Sequence, residues 1–396
     1  MFHTIRLQRK ASKNLISVQN DVSATTVNTV VQNLLENNFI QEDGIGHSTG
    51  GRKPLLYKVN DDIRYVICAS LKDHTMTFAK VSLGGVVLDR FTSSVQSLTG
   101  EAYIQKFLKE IDQFIAHLDD CMAISVILPG VIEADRGVVL YNAQLKIYEY
   151  PLKQSLQQLY AVPIYIENDT NSFVTAERYM GALHEENVLY VTIGDGVGGG
   201  LLVNGSIHRG QHGAAGEIGH MTVVQNGVLC SCNNRGCLES YVSWPAIRGR
   251  IISLLMARRS ETCLHEWVGN QYEKITPEMF IRAVQNDDPL SIVINNEVAE
   301  YVATAFINVL HLLSPDMIVL SGKVVQGNDQ LVTRVQQIVE ERKLPALASK
   351  TNIKLTSLSE EVELFGALSV ACSDQIPLAQ QINYEGNVCN VHLLLD

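Results

Sequence analysis

From residue 61 onward the chain alternates short apolar runs with amphipathic segments, and this alternation restricts the fold to the α/β architectures. "YVICAS", "TMTFAKVSL", "AISVILPG", "PIYIEND" and "VLYVTIG" are apolar runs of strand length, most of them closing on glycine or polar residues. Among them, "EAYIQKFLKEIDQFIAHL" places Ile104, Phe107, Leu108, Ile111, Phe114, Ile115 and Leu118 on one stripe of a helix. A second series follows a long helix: "MIVLSG", "NIKLTSL" and a helix from about Glu361. The pattern predicts two α/β lobes with a cleft between them and ligands at the strand ends. The best domain boundary falls near Asn60–Asp61, dividing residues 1–60 from a body of 61–396.

Charge separates the same two parts. The chain carries −11, yet residues 1–60 hold seven Lys/Arg against four Asp/Glu, so −14 lies beyond them. A small basic unit ahead of an acidic body is the balance of a DNA-reading module attached to something else. "DVSATTVNTVVQNLLENNFI" supports it. Val27, Val30, Val31, Leu34 and Leu35 fall on one helical face, with Ser23 at the N-cap position. The opposite face offers Thr25, Thr26, Asn28, Thr29, Gln32 and Asn33, uncharged hydrogen-bonding groups suited to base edges in a major groove. A shorter helix, Ser12 to Gln19, and a turn precede it, giving a helix-turn-helix. "IQEDGIGHSTGGRKPLLYKV" reads as two strands around a glycine-rich wing tip, where Arg52 and Lys53 reach phosphate or the minor groove. We therefore expect a winged helix-turn-helix, with a first helix confined to Phe2–Lys10.

"GHMTVVQNGVLCSCNNRGCLESY" gathers His220, Cys230, Cys232 and Cys237 within eighteen residues. The N-terminal stretch "MFHTIRLQRKASKN" has no apolar segment after its charges, which predicts no secretory leader, and no apolar run is long enough to span a bilayer. A cytoplasmic protein keeps its thiols reduced, so disulfides are disfavoured. A redox role lacks any visible low-pKa setting. Cys-x-Cys-x4-Cys with an upstream histidine supplies the soft ligands of a closed tetrahedral Cys3His zinc site. "VTIGDGVGGGLLVNGSIHRG" is ambiguous: its glycines serve a phosphate cradle or a tight hairpin equally well.

Taken with its neighbours, that segment is informative. "GDGVGGGLLVNGSIHRGQHGAAGEIGHM" followed by "CSCNNRGCLES" resembles the signature of the repressor/open-reading-frame/kinase (ROK) family, and "IENDTN" and "LPGVI" resemble its sugar-site motifs. The resemblance implies an actin-like, two-lobed α/β body that holds a sugar in its cleft. The family's kinases phosphorylate that sugar with ATP, and its repressors use it as a signal. Carried over by motif, the sugar ligands are Asn168 and Asp169, Glu217 and His220, and Glu239, with Gly130 allowing close approach and Asn142 adding an amide. His220 would bind zinc through one ring nitrogen and turn the other toward the sugar, making the zinc of the 220–237 loop structural.

One departure bears on activity. The family's kinases open with an Asp-x-Gly-Gly-Thr turn around the ATP phosphates, whereas this chain has Ala69, Ser70, Leu71, Lys72 and Asp73 there. "LSGKVV" replaces the adenosine-binding Gly-Gly. The expectation is a sugar-responsive repressor that is not an enzyme; the rival is an ATP-dependent sugar kinase with an added DNA-binding domain. "STGGRKP" and the zinc loop resemble the xylose-repressor branch most. The implied partners are operator DNA and a sugar effector, xylose or another monosaccharide, and a symmetric operator suits a homodimer or higher homo-oligomer.

Overall fold

The computed structural model describes residues 1–46, 53–72, 74–95, 97–115, 117–181, 183–257, 262–345, 352–358 and 361–373. They form two compact units, one built from Met1–Leu183 and the segment from Leu358, the other from His184–Ser357.

The first unit begins with α1 (Phe2–Leu7), β1 (Ala11–Ser12), α2 (Lys13–Gln19), α3 (Ala24–Glu36), β2 (Ile40–Ile45) and β3 (Leu55–Val59). The three strands form an antiparallel sheet in the order β1-β3-β2. Serines start both longer helices: the Ser12 hydroxyl accepts from Leu15 N and the Ser23 hydroxyl from Thr26 N. The apolar stripe of α3 turns inward, with Val27, Val30, Val31 and Leu34 buried and Leu35 half-buried.

There follow β4 (Tyr65–Leu71), β5 (Thr75–Ser82), β6 (Val87–Ser94), α4 (Gly100–Phe114) and β7 (Cys121–Leu128). A small antiparallel sheet of β8 (Val131–Glu133), β9 (Val138–Asn142) and β10 (Ile147–Tyr150) comes next, then α5 (Leu152–Gln157), β11 (Ile164–Asn168) and α6 (Asp169–Tyr179). The main sheet has the order β11-β7-β4-β5-β6: β4, β5 and β6 form an antiparallel meander, and β7 and β11 add in parallel. The stripe expected on α4 packs as read, although the helix stops at Phe114; Ile115 and Leu118, beyond its end, meet the same core.

The second unit repeats this connection pattern. β12 (Val188–Ile193), β13 (Val197–Val203) and β14 (Ser206–Ile207) form the meander. After α7 (Glu239–Val242), α8 (Trp244–Met256), α9 (Cys263–Val268), α10 (Pro277–Gln285) and the long α11 (Pro289–Leu313), strand β15 (Met317–Ser321) joins β12 in parallel. After α12 (Asp329–Arg342), β16 (Asn352–Leu355) joins β15, giving the order β14-β13-β12-β15-β16. The chain then returns to the first unit as α13 (Val362–Cys372), which packs on α6. Two α/β units with like sheets meet the expectation from the alternating pattern. No helix among the described residues is long and apolar enough to cross a membrane.

Candidate functional site

The sequence-derived residues divide between the units, and each group is held by its own scaffold. In the first unit, β11 runs into α6 so that Asn168 caps the helix and Asp169 is its first residue. The Asn168 side chain accepts from Asn171 N and Thr170 Oγ1 and donates from Nδ2 to the Gly130 carbonyl at 2.9 Å. Gly130 has φ +104°, and an added Cβ would lie 2.4 Å from Tyr141 O, so only glycine fits this turn. Asn142 is 3% exposed; it donates to Pro129 O at 2.7 Å and accepts from Leu145 N at 2.8 Å. Both ends of its amide therefore serve the turn, as do most of Asn168's bonding groups. Asp169 is half-buried, and one carboxylate oxygen accepts from Thr170 N at 2.8 Å. It stands where the helix dipole favours an anion.

In the second unit, the segment Glu217–His220 lies against the β12–β13 hairpin. Close approach explains part of the glycine cluster: a Cβ on Gly199 would be 2.6 Å from Gly216 O, and one on Gly216 would be 2.3 Å from Gly199 O. The glycines from 198 to 200 thus belong to strand β13, paired with Thr192, Val191 and Tyr190. The segment forms a tight hairpin, and these glycines let its backbone and that of Gly216 approach closely. Glu239, at the start of α7, accepts from Val197 N at 3.0 Å. Glu217 Oε2 is 3.9 Å from His220 Nε2. Burial of its inner side pushes the Glu217 carboxyl up, His220 pulls it back, and Glu239 adds to the rise.

His220, Cys230, Cys232 and Cys237 bring four potential ligand atoms within 4.8 Å of one another. Cys232 Sγ and Cys237 Sγ are 3.7 Å apart, and Cys230 Sγ is 3.7 Å from His220 Nδ1. A tetrahedral ion with metal–sulfur bonds of about 2.3 Å needs ligand pairs about 3.8 Å apart, so the group fits. Because Nδ1 faces the sulfurs, Nε2 remains on the Glu217 side. The Cys237 sulfur also accepts from Asn234 Nδ2 at 3.4 Å, an outer hydrogen bond of the kind that supports a metal-bound thiolate. The sequence showed no low-pKa setting for these thiols, and here the structure differs. Burial opposes ionisation of Cys230, but hydrogen bonds from Cys232, Ser240 and His220 outweigh it and bring the thiol down to about 6. Burial and the neighbouring Cys232 and Cys230 push Cys237 up to about 12. The depressed thiol lies inside the four-ligand cluster, where a thiolate is the ligating form.

The stretch from Ala69, where the sequence reading expects the kinase turn to be missing, continues as strand. Strand β4 runs through Leu71, whose side chain is fully buried, and Lys72 N donates to Thr75 O across a short hairpin. Ser70 Oγ donates to Glu363 Oε2 at 2.8 Å, and Lys72 Nζ pairs with Glu363 Oε1. Asp73 lies outside the described residues. In the second unit, Lys323 of the "LSGKVV" segment grips both oxygens of Asp195, at the tip of the β12–β13 hairpin, at 2.6 Å. Neither ion pair was evident in the sequence, since 291 and 128 residues separate the partners.

At the N-terminus, Thr25, Asn28, Thr29 and Gln32 of α3 are exposed, as is Ser23, while Thr26 is half-buried and shares a hydrogen bond with the Ser23 hydroxyl. Asn28 Oδ1 accepts from Lys13 Nζ at 2.8 Å. Lys53 is exposed; Arg52 lies outside the described residues.

A mixed α/β body of two like sheets, carrying these motifs, defines a class. The ROK family model matches residues 88–373, and the chain belongs to that family. It is 26% identical over 379 residues to the xylose repressor of Caldicellulosiruptor bescii, with 94% of each chain covered. A glucokinase of Halalkalibacterium halodurans is 28% identical over 313 residues, covering 76% of this chain and 93% of its own. The crystal structure of a ROK family transcriptional regulator, a homologue of the E. coli MLC protein, matches with a TM-score of 0.76 at 22% identity, over 93% of this chain and 94% of that one. At that identity the likeness concerns the fold alone.

Proposed function

We propose that this protein is a sugar-responsive transcriptional repressor of carbohydrate-utilisation genes. Residues 1–60 are its winged helix-turn-helix, and residues 61–396 its sugar-binding body. The observation that supports the reading is the pairing of an exposed, uncharged α3 face with a ROK body in which Lys72, at the end of β4, pairs with Glu363. Thr25, Thr26, Asn28, Thr29 and Gln32 read base edges, while Arg52 and Lys53 hold phosphate. Asp169 on the first unit, and Glu217, His220 and Glu239 on the second, each serve as sugar-hydroxyl ligands. Gly130, Asn142 and Asn168 shape the loop beside Asp169. Zinc on His220, Cys230, Cys232 and Cys237 fixes the loop that presents Glu217 and Glu239; it is structural, and no chemistry runs through it. The similarity to a xylose repressor supports xylose or a related monosaccharide as the effector.

The test has two steps. A duplex enriched by the protein from a random DNA pool serves as operator, and its binding is titrated with D-xylose and a panel of other sugars. The reading requires sequence-selective binding that one sugar weakens; DNA binding without selectivity, or without response to any sugar, overturns it. The rival reading, a kinase, is favoured by the likeness to a glucokinase and by the presence of Asp169.

A further inference from the structure

Arg6 is a buried cation with no anionic partner among the described residues. It is 6% exposed, and its guanidinium carbon lies 3.2 Å from the centroid of the Tyr179 ring. Its Nη1 meets Met180 Sδ at 3.1 Å and its Nη2 lies 2.7 Å from His3 Nδ1, while its Nε has no hydrogen-bond partner. A guanidinium so placed keeps a desolvation cost that the face of one tyrosine offsets only in part. Burial holds the Arg6 pKa below its usual value, which is the same conflict seen from the proton's side.

The socket is the far end of the helix that begins at Asp169. α6 runs from Asp169 to Tyr179, about 16 Å at 1.5 Å per residue. Its C-cap is crowded as well: an added Cβ on Gly85, in the β5–β6 turn, would lie 2.4 Å from the Met180 methyl. α6 packs closely on α13, where a Cβ on Gly366 would lie 2.6 Å from Ser172 Oγ. Beyond Arg6, α1 is tied to α2 by Asn20, whose Nδ2 donates to Thr4 Oγ1 at 2.9 Å and to Ile16 O at 2.8 Å. α2 packs directly on α3.

We propose that Arg6, seated on Tyr179 and Met180, is the coupling residue through which the Asp169 end of α6 biases the position of α1 and hence of α2 and α3. The proposal rests on the sugar-repressor reading above. A ligand at Asp169 that shifts α6 along its axis or in tilt must alter a seat where one cation is held by a ring face and a thioether. Such a contact is weak enough to change and specific enough to report the change. A buried carboxylate partner would have made the seat rigid.

The experiment compares the wild-type chain with Arg6→Met, which keeps length and apolar packing and removes the unmatched charge, and with Tyr179→Leu, which removes the ring face. For each, sugar affinity is measured by calorimetry, and affinity for the enriched duplex by anisotropy, without and with saturating sugar. D-xylose is the first probe, followed by the same panel. Coupling is the ratio of the two duplex affinities, expected to be on the order of 5- to 150-fold in an allosteric protein. Both variants should bind sugar and duplex separately within about threefold of wild type, while the ratio falls to about one. A wild-type ratio in both variants overturns the proposal. So does a loss of both affinities with the ratio preserved, because that is the signature of support for the fold alone. If no sugar changes duplex affinity in the wild type, the repressor reading itself fails and the proposal falls with it, an outcome distinct from the other two.

Discussion

On the proposed reading, Asp169 is the residue on which recognition and chemistry divide. Its carboxylate accepts from Thr170 N at the first turn of α6, and an asparagine keeps that acceptor while losing the charge. Asp169→Asn should therefore fold normally but lose sugar affinity by about 10- to 100-fold, the range for a charge-assisted hydrogen bond of roughly 1.5–3 kcal/mol. The variant should stay on its operator at sugar concentrations that release the wild type, and anisotropy with and without sugar checks this. Asn142 and Asn168 show bonding that motif reading does not supply. Asn168 falls in a segment that resembles a sugar-site motif and Asn142 was expected to add an amide; their side chains bond Pro129, Leu145, Gly130, Thr170 and Asn171. Spacing places a residue in a loop; it does not say which way its hydrogen bonds run.

At the scale of elements, the N-terminal helices and the cysteine loop yield separable predictions. Asn28 is exposed on α3 and bonded by Lys13, whereas Thr26 also supports the Ser23 cap. Asn28→Ala should thus narrow the gap between specific and non-specific DNA by about 1–3 kcal/mol without weakening the helix. Lys53→Ala should weaken all duplexes alike and lower the salt slope by about one; titrations at several salt concentrations separate the two effects. Cys232 is exposed, so Cys232→Ser opens no core cavity. It should nevertheless lower bound zinc, thermal stability and sugar affinity together, measured by elemental analysis, thermal unfolding and calorimetry, because one loop serves all three. The elements themselves were largely legible. Strands buried on both faces read as continuous apolar runs, and the α3 and α4 stripes were visible as helical periods. Less legible were β6, a mostly exposed edge strand of mixed polarity, and the short β8–β10 sheet, whose pairing is set by turns. The glycine cluster could be resolved only by what packs on it, the carbonyl of Gly216 against Gly199.

For the whole molecule the deciding question is whether the sugar is ever phosphorylated, and the expected answer is that it is not. Asp169 is present, and a search confined to the general base would name a kinase. A base does little unless a γ-phosphoryl group is held in line and its charge neutralised. In the first unit, Leu71 is in the core and Lys72 pairs with Glu363, in the stretch where the proposed reading lacks the kinase turn. In the second unit, Lys323 is held by Asp195 at the hairpin tip, so its charge is already matched. Each ion pair is surface-accessible and worth little by itself. On the repressor reading proposed above, their effect is positional: each would occupy with side chains a place that a nucleotide needs open. An ADP-release assay with magnesium-ATP and the sugar identified by the operator titration checks the outcome. Turnover should stay at background while sugar binding is intact. A sugar-dependent rate of ~1 s⁻¹ or more, the low end for working kinases, would show that neither ion pair bars the nucleotide and that Asp169 acts as a base. The companion variant Lys72→Gly with Glu363→Gln reopens the first-unit hairpin without restoring the missing aspartate. It should remain inactive, because space alone supplies neither magnesium coordination nor phosphate alignment.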